Sequence, residues 1–143
     1  MIERWKRELE EAFEDGQVIV EEGDRSRQMY VIQHGQVAIF KSAGGREELL
    51  ATLQKGDFFG EMSLLESLPR DATARAVGKT RVLTIHPGGL LVRIRRDPTF
   101  ALEMLQRLSS RIRRMNRQYM ETRSIEASAE AGATEGARQD ESS

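Results

Sequence analysis

The chain has 143 residues, enough for one domain with its own core, and no cysteine, which excludes a disulfide frame and a thiolate metal site. Its 38% hydrophobic content contains no run near the roughly 18 apolar residues of a membrane span, and a formal net charge of −1 argues against a protein that coats nucleic acid. The charged amino terminus lacks a signal-peptide pattern, so a cytoplasmic location is expected, which an absence of cysteines also fits.

In chain order, residues 1–13 predict an amphipathic helix, because Ile2, Trp5, Leu9 and Phe13 recur at spacings of three and four. Gly16 ends it. Residues 14–86 then carry a strand pattern: "QVIV", the turn "EEGD", and "MYVIQHGQVAIFK" as two runs about His34 and Gly35. "SAGGREE" is a hairpin turn in which Gly44 and Gly45 take positive φ, followed by the strand "LLATL" and the turn "QKGD". "TARAV" and "RVLTI" close the series around Gly78. Short strands with glycine turns and no intervening helix suggest a sandwich or barrel-like roll.

Residues 87–123 predict helices. "HPGGLLVRIRR" is a short one with Pro87 at its start. The second is long, with Asp97 as N-cap and Pro98 in the first helical position. Its seam of Leu105, Leu108, Ile112, Met115 and Tyr119 has a coiled-coil spacing, which makes 101–122 a candidate dimer contact. Residues 124–143, rich in Ala, Glu, Gly and Ser, are expected to be a disordered tail.

The stretch "FGEMSLLESLPRDATA", Phe59 to Ala74, stands apart from this pattern. Gly60 lets a ligand approach the backbone, and a helix starting after it presents unpaired N–H groups. Arg70 offers a planar fork of donors to a phosphate. Glu61 repels a phosphate but accepts hydrogen bonds from sugar hydroxyls, and Ala72 and Ala74 leave space beside the two charges. One acceptor for a sugar and one donor fork for a phosphate describe a nucleotide. The plain alternative is that Glu61 and Arg70 pair with each other at the surface.

The stretch "GDFFGEMSLLESLPRDATARA" closely resembles the phosphate-binding cassette of cyclic-nucleotide-binding domains, the family of bacterial catabolite-activator proteins and of the regulatory subunits of cyclic-AMP-dependent protein kinase. The resemblance covers about residues 13–120. It implies a mainly β fold: a double-stranded β-helix, or jelly-roll-like β-roll, flanked by N-terminal and C-terminal helices. It implies that Glu61 takes the ribose 2′-hydroxyl, that Arg70 takes the cyclic phosphate, and that amides around Gly60, Met62, Ser63 and Ala72 complete the cradle. Leu49 to Leu53 would flank the base, and Tyr119 with Met120 would fall near the base-contacting positions of the long helix. Tyr119 is then either a stacking platform or a seam residue. One position departs from the pattern: Asp71 follows the cassette arginine, where binders of the family usually carry Ser, Thr or Ala. Its carboxylate repels a phosphate unless it turns away or meets a donor.

Beyond Tyr119 no second apolar-periodic helix pair follows, so no DNA-binding helix-turn-helix is expected here. Arginines 107, 111, 113, 114, 117 and 123 make the long helix basic, either as a solvated face or as a contact for an acidic partner. Neither His34 nor His86 has a nearby nucleophile or metal cluster, and no catalytic motif is present, so neither an enzyme nor a metal site is expected. The sequence therefore points to a regulatory module that binds cyclic AMP, or cyclic GMP, and relays binding through its C-terminal helices. The alternative is a nucleotide-free β-roll serving protein interaction or dimerisation. Either could be a piece of a larger regulator, channel or transporter.

Overall fold

The computed structural model describes the backbone of residues 10–141 and side chains as far as residue 132. Six strands form one antiparallel sheet: β1 (Glu10–Phe13), β2 (Val18–Val20), β3 (Met29–Ala43), β4 (Arg46–Leu53), β5 (Phe58–Phe59) and β6 (Thr73–Ile85). The strand order is β1-β6-β3-β4, with β2 also on β6 and β5 also on β3. A short helix α1 (Glu61–Glu66) separates β5 from β6, and α2 (Pro87–Arg96) and α3 (Pro98–Glu141) follow.

The two runs expected about His34 and Gly35 are one strand, β3, bent there. Its register against β6 slips on both sides of His34. Gly35 makes the bend possible: its φ is +86°, and a Cβ would lie 2.5 Å from the Lys79 carbonyl oxygen. No other residue fits so close to the neighbouring strand. β6 is likewise one strand, with Gly78 at φ +69°. These bends roll the sheet about a core of Val20, Tyr30, Ile32, Val37, Leu53, Phe59, Ala74 and Val82. β-Branched and aromatic side chains suit that half-buried pleat. Ala43 pairs with Arg46 across Gly44 and Gly45, whose φ values of +59° and +79° are those of a tight hairpin turn.

Two expectations are corrected. Residues 10–13 form β1, paired with β6 from Glu10↔Leu83 to Phe13↔Thr80, where the spacing predicts helix. An unpaired stretch of β6 needs a strand to satisfy its backbone groups, and that demand outweighs a four-residue apolar period. Ile2, Trp5 and Leu9 lie outside the described residues. The second correction concerns the tail: α3 continues to Glu141, where the composition predicts disorder from residue 124. Ala, Glu, Gln and Arg are strong helix formers, and a helix satisfies its backbone within itself without a core.

The chain divides into two compact units, one ending at Phe100 and one starting at Ala101. In the first, His86 caps α2 with Pro87 in its first turn, and the Arg93 guanidinium lies 4.7 Å from the ring centroid of the buried Phe100. In the second, Leu105, Ile112, Met115 and Tyr119 are exposed along α3.

Candidate functional site

The site is built where β5 runs into α1 and where the chain returns to β6. Gly60 precedes α1 in the left-handed region, at φ +84°. A Cβ there would lie 2.7 Å from Arg70 Nη1 and 2.9 Å from the Gln28 carbonyl oxygen. The glycine therefore leaves the space that the guanidinium fills. Ser67 ends α1, also left-handed, and its N–H donates to the Ser63 carbonyl. Arg27 closes the same helix end by donating from Nη2 to the Leu64 carbonyl at 3.1 Å. A cation on the last carbonyls of a helix is the favourable sign.

Arg70 is only 4% exposed. Nη2 donates to the Gln28 carbonyl at 2.6 Å, Nη1 to the Gly60 carbonyl at 3.2 Å and Nε to Ser26 Oγ at 3.1 Å. All three acceptors are neutral. A guanidinium has five N–H donors, so each terminal nitrogen keeps one more. The backbone of Arg70 is also clamped: its N–H donates to the Asp24 carbonyl at 2.7 Å, and its carbonyl accepts from Gly23 at 2.8 Å. Ser26 in turn donates to Asp24 Oδ2 at 3.1 Å, which leaves its lone pairs for Arg70. Tyr30, stacked on Phe59 at 5.1 Å, lies 5.9 Å below the guanidinium. Burial pushes the Arg70 pKa down, opposed by the charges of Asp24 and Glu61. The side chain stays a cation, since an arginine does not deprotonate in a protein. Burial likewise raises the Tyr30 hydroxyl. A buried cation whose direct hydrogen bonds all go to neutral groups can take a further anion at its remaining donors, beside the charges of Asp24 and Glu61.

The remaining expected residues fall as follows. Glu61 is the half-buried first residue of α1, Met62 is exposed, and Ser63 is buried. Asp71 is exposed, and its carboxylate pairs with Lys41 Nζ at 3.1 Å rather than with Arg70. Ala72 is half-buried next to it. Gly60, Glu61, Met62, Ser63, Arg70, Asp71 and Ala72 thus belong to one local constellation in the first unit. Tyr119 lies on α3 in the second unit, 60% exposed, with the Arg123 guanidinium 5.9 Å from its ring centroid. Among the described residues no group of three or more acidic or histidine side chains could hold a metal ion. No described helix is long and apolar enough to cross a membrane.

The partners that sequence reasoning missed are Ser26, Arg27, Gln28 and Lys41. Lys41 lies on β3, and the turn signal at Gly23 and Asp24 marked the loop of the other three. Nothing local indicated that it would fold over a cassette 42 to 44 residues away.

The chain is similar to known proteins in sequence and in fold. The family model described as the cyclic nucleotide-binding domain matches residues 10–97. The cyclic AMP receptor protein of Thermus thermophilus is 37% identical over 102 residues, 71% of this chain and 47% of that protein. A cAMP-dependent protein kinase regulatory subunit of Mucor circinelloides f. lusitanicus is 38% identical over 73 residues, 51% of this chain and 17% of that protein. The chain therefore spans half or less of these relatives. The crystal structure of Thermus thermophilus catabolite activator protein superposes with a TM-score of 0.69 at 32% identity, covering 80% of this chain and 55% of that one. The EAL enzyme Bd1971 in its cAMP-bound form has a TM-score of 0.56 at 29% identity, covering 75% of this chain and 29% of that one. Its cGMP-bound form has the same TM-score at 28% identity, covering 73% and 28%.

Proposed function

This chain belongs to the cyclic nucleotide-binding domain family, and we propose that it is a regulatory module, not an enzyme, that binds a cyclic nucleotide at the cassette between Gly60 and Ala72. The single observation that carries this is Arg70: buried, held on three sides by neutral acceptors, with a donor left on each terminal nitrogen. In this reading those donors take the cyclic phosphate, with the amides around Gly60, Met62, Ser63 and Ala72. Glu61, on the α1 side of Gly60, takes the ribose 2′-hydroxyl. Cyclic AMP is the favoured ligand and cyclic GMP the second. A solved relative seen with cAMP bound and with cGMP bound supports that pair.

The output runs through the helices after the roll, by a shift in population between two placements of them. The exposed seam of α3 supports a homodimer through residues 101–122. The partner that reads the signal is a further protein, and the setting is the cytoplasm. Calorimetric titration with cyclic AMP and cyclic GMP, with 5′-AMP as control, tests the assignment. Saturable binding of a cyclic nucleotide is expected, and at ~100 times its dissociation constant it stabilises the fold by about 2.7 kcal/mol. A folded protein that binds neither ligand would instead be a nucleotide-free interaction module.

A further inference from the structure

Phe40 on β3 pairs with Thr73, the first residue of β6, so Lys41 lies one step beyond, over the residues that lead from Arg70 into β6. Its Nζ donates to the Asp71 carbonyl oxygen at 3.1 Å and to Asp71 Oδ1 at 3.1 Å. A second carboxylate, Glu22 Oε1, lies 4.0 Å from the same nitrogen. One cation thus holds both the main chain and the side chain of the residue that follows Arg70.

Two consequences follow from elementary chemistry. A lone carboxylate adjacent to the cassette arginine repels an incoming anion, and the Lys41 charge offsets that repulsion. Second, the peptide bonds of the described residues, Asp71–Ala72 included, are trans. In a trans peptide the C=O and the next N–H point in opposite directions. With the Asp71 carbonyl turned to Lys41, the Ala72 N–H faces away from Lys41. Among the described residues that N–H makes no hydrogen bond, so it remains a donor for a ligand.

We propose that Lys41 is a positioning residue for ligand binding: it draws the Asp71 carboxylate away from the anion site and sets the Asp71–Ala72 peptide so that the Ala72 amide serves the ligand phosphate. The inference rests on the reading of the cassette as a cyclic-nucleotide site. It also accounts for how an aspartate is tolerated beside Arg70. Lys41 and Asp71 side chains are 45% and 65% exposed, so their pairing contributes little to folding. Its effect is on the ligand.

The test is titration of wild type, K41M, K41Q, K41R, D71S and K41M/D71S with cyclic AMP and cyclic GMP at one salt concentration. Thermal unfolding of each variant reports its fold. K41M and K41Q each weaken binding about three- to tenfold in the wild-type background. K41R restores binding to within about twofold, because it keeps the charge and a donor. In the D71S background K41M costs less than about twofold, since no carboxylate is left to hold. Wild-type affinity in the folded neutral variants overturns the proposal. So does an equal loss in both backgrounds, which would mean that Lys41 acts by direct attraction to the ligand. A folded wild type that binds neither nucleotide overturns the cassette assignment and this inference with it, an outcome separate from failure of the Lys41 variants alone.

Discussion

Gly60 and Arg70 share one volume: a Cβ on the glycine would stand 2.7 Å from Nη1 of the arginine, and the glycine carbonyl accepts a hydrogen bond from that same nitrogen at 3.2 Å. The glycine at the start of α1 is thus the seat of the cation, as well as a left-handed turn of the chain. The close approach and the left-handed backbone make the same demand for a residue without a side chain.

Gly60→Ala therefore meets two obstacles, a φ of +84° and a clash with the guanidinium and the Gln28 carbonyl. The left-handed backbone alone costs about 1–2 kcal/mol for an alanine. We expect a lower midpoint in urea and at least a tenfold loss of cyclic-nucleotide affinity, since the displaced guanidinium no longer points its free donors at the site. An unchanged affinity would show that Nη1 does not face the ligand.

Arg70→Ala removes the cationic fork and, with it, binding. Loss of a charged contact to phosphate costs on the order of 2–4 kcal/mol, roughly 30- to 1000-fold in affinity. Loss of a surface arginine would leave folding almost untouched, as the plain alternative of a surface pair implies. The structure revises that. Deleting the guanidinium strands the Gln28 and Gly60 carbonyls and the Ser26 hydroxyl. We expect a loss of about 1–3 kcal/mol in stability as well. Arg70→Lys keeps the charge and loses the fork, so it should bind more weakly than wild type but better than Arg70→Ala. Chemical denaturation beside titration separates the two effects, and wild-type binding by a folded Arg70→Ala protein would remove the site.

Ile112 is 58% exposed midway along the α3 seam. If that seam joins two copies, Ile112→Glu places a charge in the joint and gives monomers, while the roll stays folded. Sedimentation at ~100 µM is the check, because an equilibrium between monomer and dimer depends on concentration. A wild-type monomer at that concentration, or a dimer that survives the substitution, would discard the seam as the contact.

Much of the first unit was legible in the linear chain because its punctuation is local. Gly44 and Gly45 specify a hairpin through their own backbone freedom, and Pro87 marks the start of α2. Gly60 and Arg70 were readable as a pair of residue types suited to a phosphate, without any contact being known. Strand alternation, by contrast, has a period of two and carries no register. It could not say that β3 and β6 are single bent strands, nor that Glu10 to Phe13 would be drawn into the sheet by an open stretch of β6.

The sequence by itself determined that a cation, an acid and a glycine would meet near the start of a short helix, because those residues sit within one loop of chain. Tertiary structure alone decided how the cation is held and what becomes of the acid beside it. Arg70 owes its burial and its neutral partners to the loop before β3, and Asp71 is drawn off by Lys41, 30 residues earlier. The reason is physical. Local propensities act over a few residues, whereas burial and charge pairing depend on which distant segments the rolled sheet brings within a hydrogen bond's length.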